Sequence, residues 1–147
     1  DQPVPRYDFE GKKYVPDHSS VPVMADESCW DAKDAMKLVS HRAVDFINIK
    51  LMKCGGLYEA RKIVNIAEAA GVECMLGCMA EESGIAINAA AALGAALKNI
   101  TRADLDASFS LNELPYEGGF SVMDTRNLVL SENPGLGITS LKGEMLG

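Results

Sequence analysis

The chain has 147 residues, is 48% hydrophobic and carries a net charge of −7, a balance that reads as globular protein with no apolar run long enough to span a bilayer. Its 14 lysines and arginines are scattered among 21 acids, so the basic stripe with which proteins neutralise nucleic-acid phosphates is missing. No signal peptide or transit segment is visible, and Cys29, Cys54, Cys74 and Cys78 lie apart, so reduced thiols and a cytoplasmic location are expected.

The opening "DQPVP", without a methionine, reads as a cut into a longer protein. Four short runs are then expected as strands: "PVMA" at 22–25, "FINI" at 46–49, "ECML" at 73–76 and "DLDA" at 104–107, each followed by polar or glycine punctuation. Helical patterns fill the gaps. Ser28 with Asp31 makes a capping-box pattern ahead of Ala32, Ala35, Met36 and Val39, which recur at helical spacing. Leu57, Ala60, Ile63, Val64 and Ala67 repeat that spacing, with Gly71 placed as a C-terminal stop. A third helix is expected after Ser83 through "AINAAAALGAALKNI", small and apolar enough to pack closely on a sheet. After Ser110 the rhythm stops: turn signals fall at Gly118-Gly119 and Pro134-Gly135, with a strand expected at 127–130. The chain thus divides into an α/β unit, 1–110, and a returning tail, 111–147, expected to pack on a neighbouring domain.

Alternating strands and helices mean a parallel sheet with helices outside. An open doubly wound sheet and a (β/α)8 barrel both satisfy the pattern, so the loops after the strands arbitrate. No G-x-G-x-x-G opens a helix, which weakens a dinucleotide reading. Charged residues instead mark the ends of successive strands: Asp26 and Glu27, Lys50, then Asp104 and Asp106. Active residues gathered from several strand ends are the habit of a barrel. A whole barrel takes about 250 residues, so the expected fold is the C-terminal half of one. Such a half leaves unpaired edges, which predicts aggregation or pairing with another chain, a second copy included, unless the missing half is supplied.

Period-two alternation puts Met24 with Asp26, and Asn48 with Lys50, on one face of each strand. Lys53 falls beyond the strand on the opposite parity, so Lys50 is the better candidate for a base. Asp104 and Asp106 share a face, their α carbons about 6.6 Å apart at the usual strand rise, close enough to grip one cation. Each of these has a bland alternative, because charged residues at strand ends are more often solvated than not. A zinc site at Cys74 and Cys78 lacks a second pair of ligands at suitable spacing.

"VPVMADES", followed by "INIKLMKCGG" with Lys50 twenty-four positions after Asp26, and "ADLDASFSL", resemble the muconate lactonizing subgroup of the enolase superfamily. Within it the match narrows to the dipeptide epimerases, whose best-known members act on L-Ala-D/L-Glu, and it runs from Asp1 to about Gly137. The resemblance implies a magnesium-dependent epimerase working by abstraction of an α-proton and an enediolate intermediate. It makes Asp26 the last of three carboxylate ligands for the metal, and places Asp1 where the family usually has a glutamate before "QP" as the middle ligand. Lys50 becomes one of two opposed acid/base lysines, and Asp104 with Asp106 the pair that holds the dipeptide's α-ammonium. Cys78 and Met79 either line the substrate pocket or pack beneath it. The first metal ligand, the second lysine and the capping domain, on which the tail would pack, precede Asp1 in the family and would have to be supplied as partners. By analogy the substrate is alanyl-glutamate from cell-wall peptides.

Two other readings stay open: cycloisomerisation or dehydration within the same superfamily, and an inactive structural fragment. Two buried carboxylates at Asp104 and Asp106 argue against the first, since substrates without an ammonium give them nothing to bind. Glu27 is expected either to orient Asp26 or to meet the substrate; Glu81 and Glu82 read as loop charges, Trp30 as an anchor for the loop into the first helix, and His18 and His41 as ordinary residues away from the strand ends.

Overall fold

A computed structural model describes residues 1–80, 82–110, 114–124 and 127–142. The first element, α1 (Phe9–His18), has no counterpart among the sequence expectations. It starts at Asp8, whose side chain accepts a hydrogen bond from the Gly11 amide. There follow β1 (Met24–Ala25), α2 (Ala32–Ser40), β2 (Phe46–Ile49), the one-turn α3 (Leu51–Cys54), α4 (Leu57–Ala69), β3 (Glu73–Leu76), α5 (Gly84–Ala96) and β4 (Ile100–Ala103). The four strands form one parallel sheet in the order β1-β2-β3-β4.

Register decides where the core lies. Ile47 pairs with Cys74 and Ile49 with Leu76, and all four are buried together with Leu38 of α2, Ile63 and Val64 of α4 and Ile87 of α5. Each large aliphatic side chain withdrawn from water in this way contributes roughly 1.5–3 kcal/mol. The residues between them, Asn48 and Met75, are also paired and point to the opposite face. That face leads toward the loops that follow the strands.

Helix ends follow local chemistry. Asp31, and not Ser28, caps α2: its carboxylate accepts from the amides of Lys33 and Asp34. The buried stripe of α2 is Ala35 and Leu38, while Met36 is 54% exposed. α4 buries Ala60, Ile63, Val64 and Ala67 as expected and leaves Leu57 on the surface. It closes with Gly71 at φ +73°, the Val72 amide reaching the Ala67 carbonyl and the Gly71 amide the Glu68 carbonyl, the paired bonds that terminate a helix at a left-handed glycine. α5 stops at Ala96 instead of running to Ile100, because Leu97 turns extended, the Ile100 amide closes a turn onto the Leu97 carbonyl, and Asn99 donates to the Val72 carbonyl.

The fourth strand is Ile100–Ala103, not 104–107. It is an edge strand in which Thr101, Arg102 and Ala103 are exposed, so its sequence carries no apolar signature. Leu105 and Ala107, whose apolar character suggested the later position, are buried in the loop and the 3-10 turn that follows, Ala107–Ser110. The first strand likewise shortens to its last two residues.

The tail adds β5 (Tyr116–Gly118), β6 (Ser121–Met123), β7 (Asn127–Val129) and β8 (Ile138–Leu141), with β5 antiparallel to β8 and β6 to β7. Its first stretch packs on α5. Asn88, 1% exposed in mid-helix, donates to the Gly84 carbonyl and to the Tyr116 hydroxyl and accepts from the Phe120 amide. No helix among the described residues is long and apolar enough to cross a membrane.

Candidate active site

Because the strands run parallel, their C-terminal ends deliver successive loops to one edge of the sheet. Asp26 follows β1 directly. Lys50 follows β2 in extended conformation and opens α3. Gly77, Cys78 and Met79 follow β3, and Asp104 follows β4, its amide donating to the Leu76 carbonyl at 2.8 Å. Asp104 and Asp106 lie in the loop and not on a strand, so the strand-rise spacing does not describe them. Buried Leu105 between them keeps both acids exposed.

The structure brings Asp26 and Lys50 together. Lys50 Nζ donates to Asp26 Oδ2 at 2.6 Å, and Lys53 Nζ donates to Asp26 Oδ1 at 2.7 Å. Strand parity alone would point Lys53 away from this site. The chain leaves the strand at Lys50, however, and the turn of α3 carries Lys53 back over the end of β2, where it also donates to the carbonyls of Asn48 and Asp26. The signal for it was the three-residue spacing itself, which makes neighbours on a helical turn, followed by Gly55 at φ +84° to stop that turn. Burial works to raise the Asp26 carboxyl, but the hydrogen bonds and charges of Lys50 and Lys53 outweigh it and hold the group below the usual carboxylate range.

Contacts continue across the sheet edge. The Gly77 amide donates to the Ile49 carbonyl, and a Cβ on Gly77 would meet Asn48 Oδ1 at 2.5 Å and Lys50 Cε at 3.1 Å. Asn48 Oδ1 is buried without a hydrogen-bond partner among the described residues. One residue on, the half-buried Cys78 donates through Sγ to Asp106 Oδ1 at 3.7 Å, while Met79 is 40% exposed. Glu82 lies in the loop ahead of α5 as expected but is not a solvated charge: it is 4% exposed, and its Oε2 accepts from the Met79 amide, bracing the loop after β3. Glu81 lies outside the described residues. Glu27 is exposed and its carbonyl accepts from Trp30 Nε1, over which Arg6 is stacked, so Trp30 does tie down its loop. His18 and His41 are exposed and contact the carbonyls of Tyr14 and Lys37 near their helix ends, away from this edge.

For a metal the chain offers hard oxygen donors. Asp26 is one. Asp1 is exposed and belongs to a segment drawn against the same loop by Gln2, whose Oε1 accepts from the amides of Asp26 and Ser28 at 3.1 and 3.0 Å. Two ammonium groups sit on the Asp26 carboxylate, one on each oxygen, so a cation reaches it only where one of them withdraws; carboxylate oxygens themselves suit magnesium. Among the described residues no three His, Cys, Asp or Glu side chains converge as a metal centre; the donor set fits such an ion in part. All four cysteines are free thiols.

A family model described as enolase C-terminal domain-like matches residues 1–142. The chain belongs to that family. This enolase-type domain is 59% identical over 139 residues to the hydrophobic dipeptide epimerase of Enterococcus faecalis, a match covering 95% of the chain and 39% of the relative. The crystal structure of the E. faecalis dipeptide epimerase complexed with Mg and the dipeptide L-Leu-L-Tyr superposes with a TM-score of 0.89 over 93% of the domain and 39% of that chain. A substrate-liganded complex of the L-Ala-D/L-Glu epimerase from Bacillus subtilis superposes with a TM-score of 0.90 at 42% identity, over 95% of the domain and 38% of that chain. The domain therefore spans about 40% of the length of the relatives it matches. An α/β half-barrel with a parallel sheet accounts for both the fold and that share.

Proposed function

We propose that this domain is the second half of the barrel of a magnesium-dependent dipeptide epimerase, with Lys50 as one acid/base group. The observation that carries the reading is the Lys50–Asp26 pair at the ends of adjacent parallel strands. It sets a proton-transfer group beside a carboxylate able to hold a cation. In the neutral state Lys50 takes the α-proton from one face of the dipeptide; as an ammonium it returns one to that face. Inversion needs a second group on the opposite face, supplied by the rest of the protein. Asp26 and Asp1 would hold magnesium together with a further ligand from outside this chain, and the bound ion would offset the charge that develops on the substrate carboxylate. Asp104 and Asp106, exposed at the same edge, receive the α-ammonium, with Cys78 and Met79 beside them as pocket wall. Both acids are exposed and not buried as expected, so solvent can satisfy them and the pair does not by itself disfavour cycloisomerisation or dehydration.

Residues 1–110 form the barrel half, and 111–147 return toward a capping domain. The free thiols fit the cytoplasm, where alanyl-glutamate from cell-wall peptides would be met. A second substrate reading has its own support: the relative at 59% identity is a hydrophobic dipeptide epimerase, and exposed Met79, next in the chain to the Cys78 that meets Asp106, suits an apolar side chain.

The test is exchange of α-protons in deuterated buffer with magnesium, followed by NMR, using the full chain that carries this domain. L-Ala-L-Glu and L-Leu-L-Tyr are compared, each with the wild type and Lys50→Ala. Exchange that depends on Lys50 is expected, and the faster dipeptide decides the substrate class. A folded wild type that exchanges neither substrate removes the assignment.

A further inference from the structure

Asp26 is held at more points than a carboxylate at a strand end ordinarily is. Its amide donates to Gln2 Oε1, its carbonyl accepts from Lys53 Nζ and the Cys29 amide, and its Oδ1 accepts from Lys53 at 2.7 Å. Lys53 spends all three ammonium protons on fixed acceptors, Asp26 O, Asp26 Oδ1 and Asn48 O, and its side chain is 4% exposed. Lys50 differs. Among the described residues its ammonium makes one hydrogen bond, to Asp26 Oδ2, and its side chain is 18% exposed. One lysine is fully engaged, and the other keeps two ammonium protons for a further partner.

The second arm is anchored independently. Gln2 accepts from both the Asp26 and the Ser28 amides, which fixes the loop as well as the residue. The segment carrying Gln2 is tied down by Lys12, 3% exposed, whose Nζ donates to the carbonyls of Pro5 and Arg6 at 2.7 Å each. Gln2 Oε1 holds the Asp26 and Ser28 amides while its Nε2 donates to the Val4 carbonyl, and Lys53 spends its protons on Asp26 and Asn48, so neither side chain is free to ligate a cation or move a proton.

We propose that Gln2 and Lys53 are positioning residues that form a two-armed bracket around Asp26, presenting its Oδ2 to a divalent cation while Lys50 is released to the substrate. This rests on the reading of Asp26 as a metal ligand. Partners that orient a ligating carboxylate typically govern metal affinity by about 10–100-fold.

The experiment titrates manganese against the full chain, following the free ion by electron paramagnetic resonance, with α-proton exchange measured separately at saturating magnesium. Lys53→Met and Gln2→Met are expected to weaken manganese binding about tenfold or more. In Gln2→Met, exchange recovers toward wild type as magnesium is raised, whereas a lost chemical group would not recover. Gln2→Glu keeps the accepting oxygen and restores the affinity. If Lys53→Met fails to fold, Gln2→Met, altered at the loop's periphery, carries the test. Wild-type affinity in a folded Gln2→Met or Lys53→Met overturns the bracket while leaving the epimerase reading intact. A wild type that binds no manganese overturns it outright. Weakened binding in the variants of a protein that exchanges no dipeptide supports the bracket and counts against the epimerase.

Discussion

Lys50 Nζ stands 2.6 Å from Asp26 Oδ2 although twenty-four positions separate the two residues in the chain. The register between β1 and β2 closes that gap: Ala25 pairs with Ile47, so both strands end at the same edge. With Lys53 on the other oxygen, one carboxylate is shared by two ammonium groups.

Asp26→Asn is therefore expected to destabilise the metal-free protein. It leaves two poorly solvated ammonium groups without a counter-charge, and breaking a buried ion pair from one side costs about 3–5 kcal/mol. Urea denaturation of the full chain checks this; an unchanged midpoint would show that the pair carries no stability.

The same carboxylate sets an acid dependence. Its folded pKa lies below the unfolded value, so its contribution is fully present above about pH 4 and is lost as the pH falls through the folded value. Stability of the metal-free protein should decline below about pH 4, and Asp26→Asn should remove that part of the decline. Thermal melting across pH 2.5 to 6, at roughly half-unit steps, gives the comparison.

Gly77→Ala would place a methyl group 2.5 Å from Asn48 Oδ1 and 3.1 Å from Lys50 Cε. Asn48 is 4% exposed and has little room to yield, so Lys50 is pushed aside. A loss of about tenfold or more in α-proton exchange is expected, since small displacements of a reacting group cost heavily. Exchange at the wild-type rate would mean that Lys50 tolerates the displacement.

Asn88→Ala should loosen the tail. It strands the Tyr116 hydroxyl and the Phe120 amide inside the fold, a loss of about 1–3 kcal/mol. Hydrogen exchange is expected to rise at Phe120 and along β5, with α4 unaffected.

The thiols should separate by reactivity. Burial pushes Cys29 and Cys74 up to about 12 and raises Cys54 and Cys78 as well, but Cys78 is the half-exposed one. A thiol reagent near neutral pH is expected to modify Cys78 first, and mass spectrometry of the labelled peptides identifies the site. Cys29 and Cys74 favour the folded state fully below about pH 9, their unfolded value, and that contribution fades as the pH climbs toward their folded values.

Periodicity and punctuation sufficed for the elements whose apolar residues face one way. β2 and β3 were legible to the residue, and the α4 stripe with its terminating Gly71 was legible because burial imposes its period on the sequence. Asp26 and Lys50 could be read as neighbours since parallel strands share their C-terminal edge. Local sequence was silent where exposure or distant partners decide. β4 is an edge strand with three exposed residues and no apolar pattern to betray it. Lys53 looked misplaced until a one-turn helix folded it onto β2, Glu82 became a buried brace through an amide three positions away, and Gln2 reached the Asp26 loop from the far side of α1. Alternation of side chains is a local property that the sequence carries by itself, whereas the ring of hydrogen bonds around Asp26 exists only after long-range packing has brought three separate segments, those of Gln2, Asp26 and Lys50 with Lys53, to one edge of the sheet.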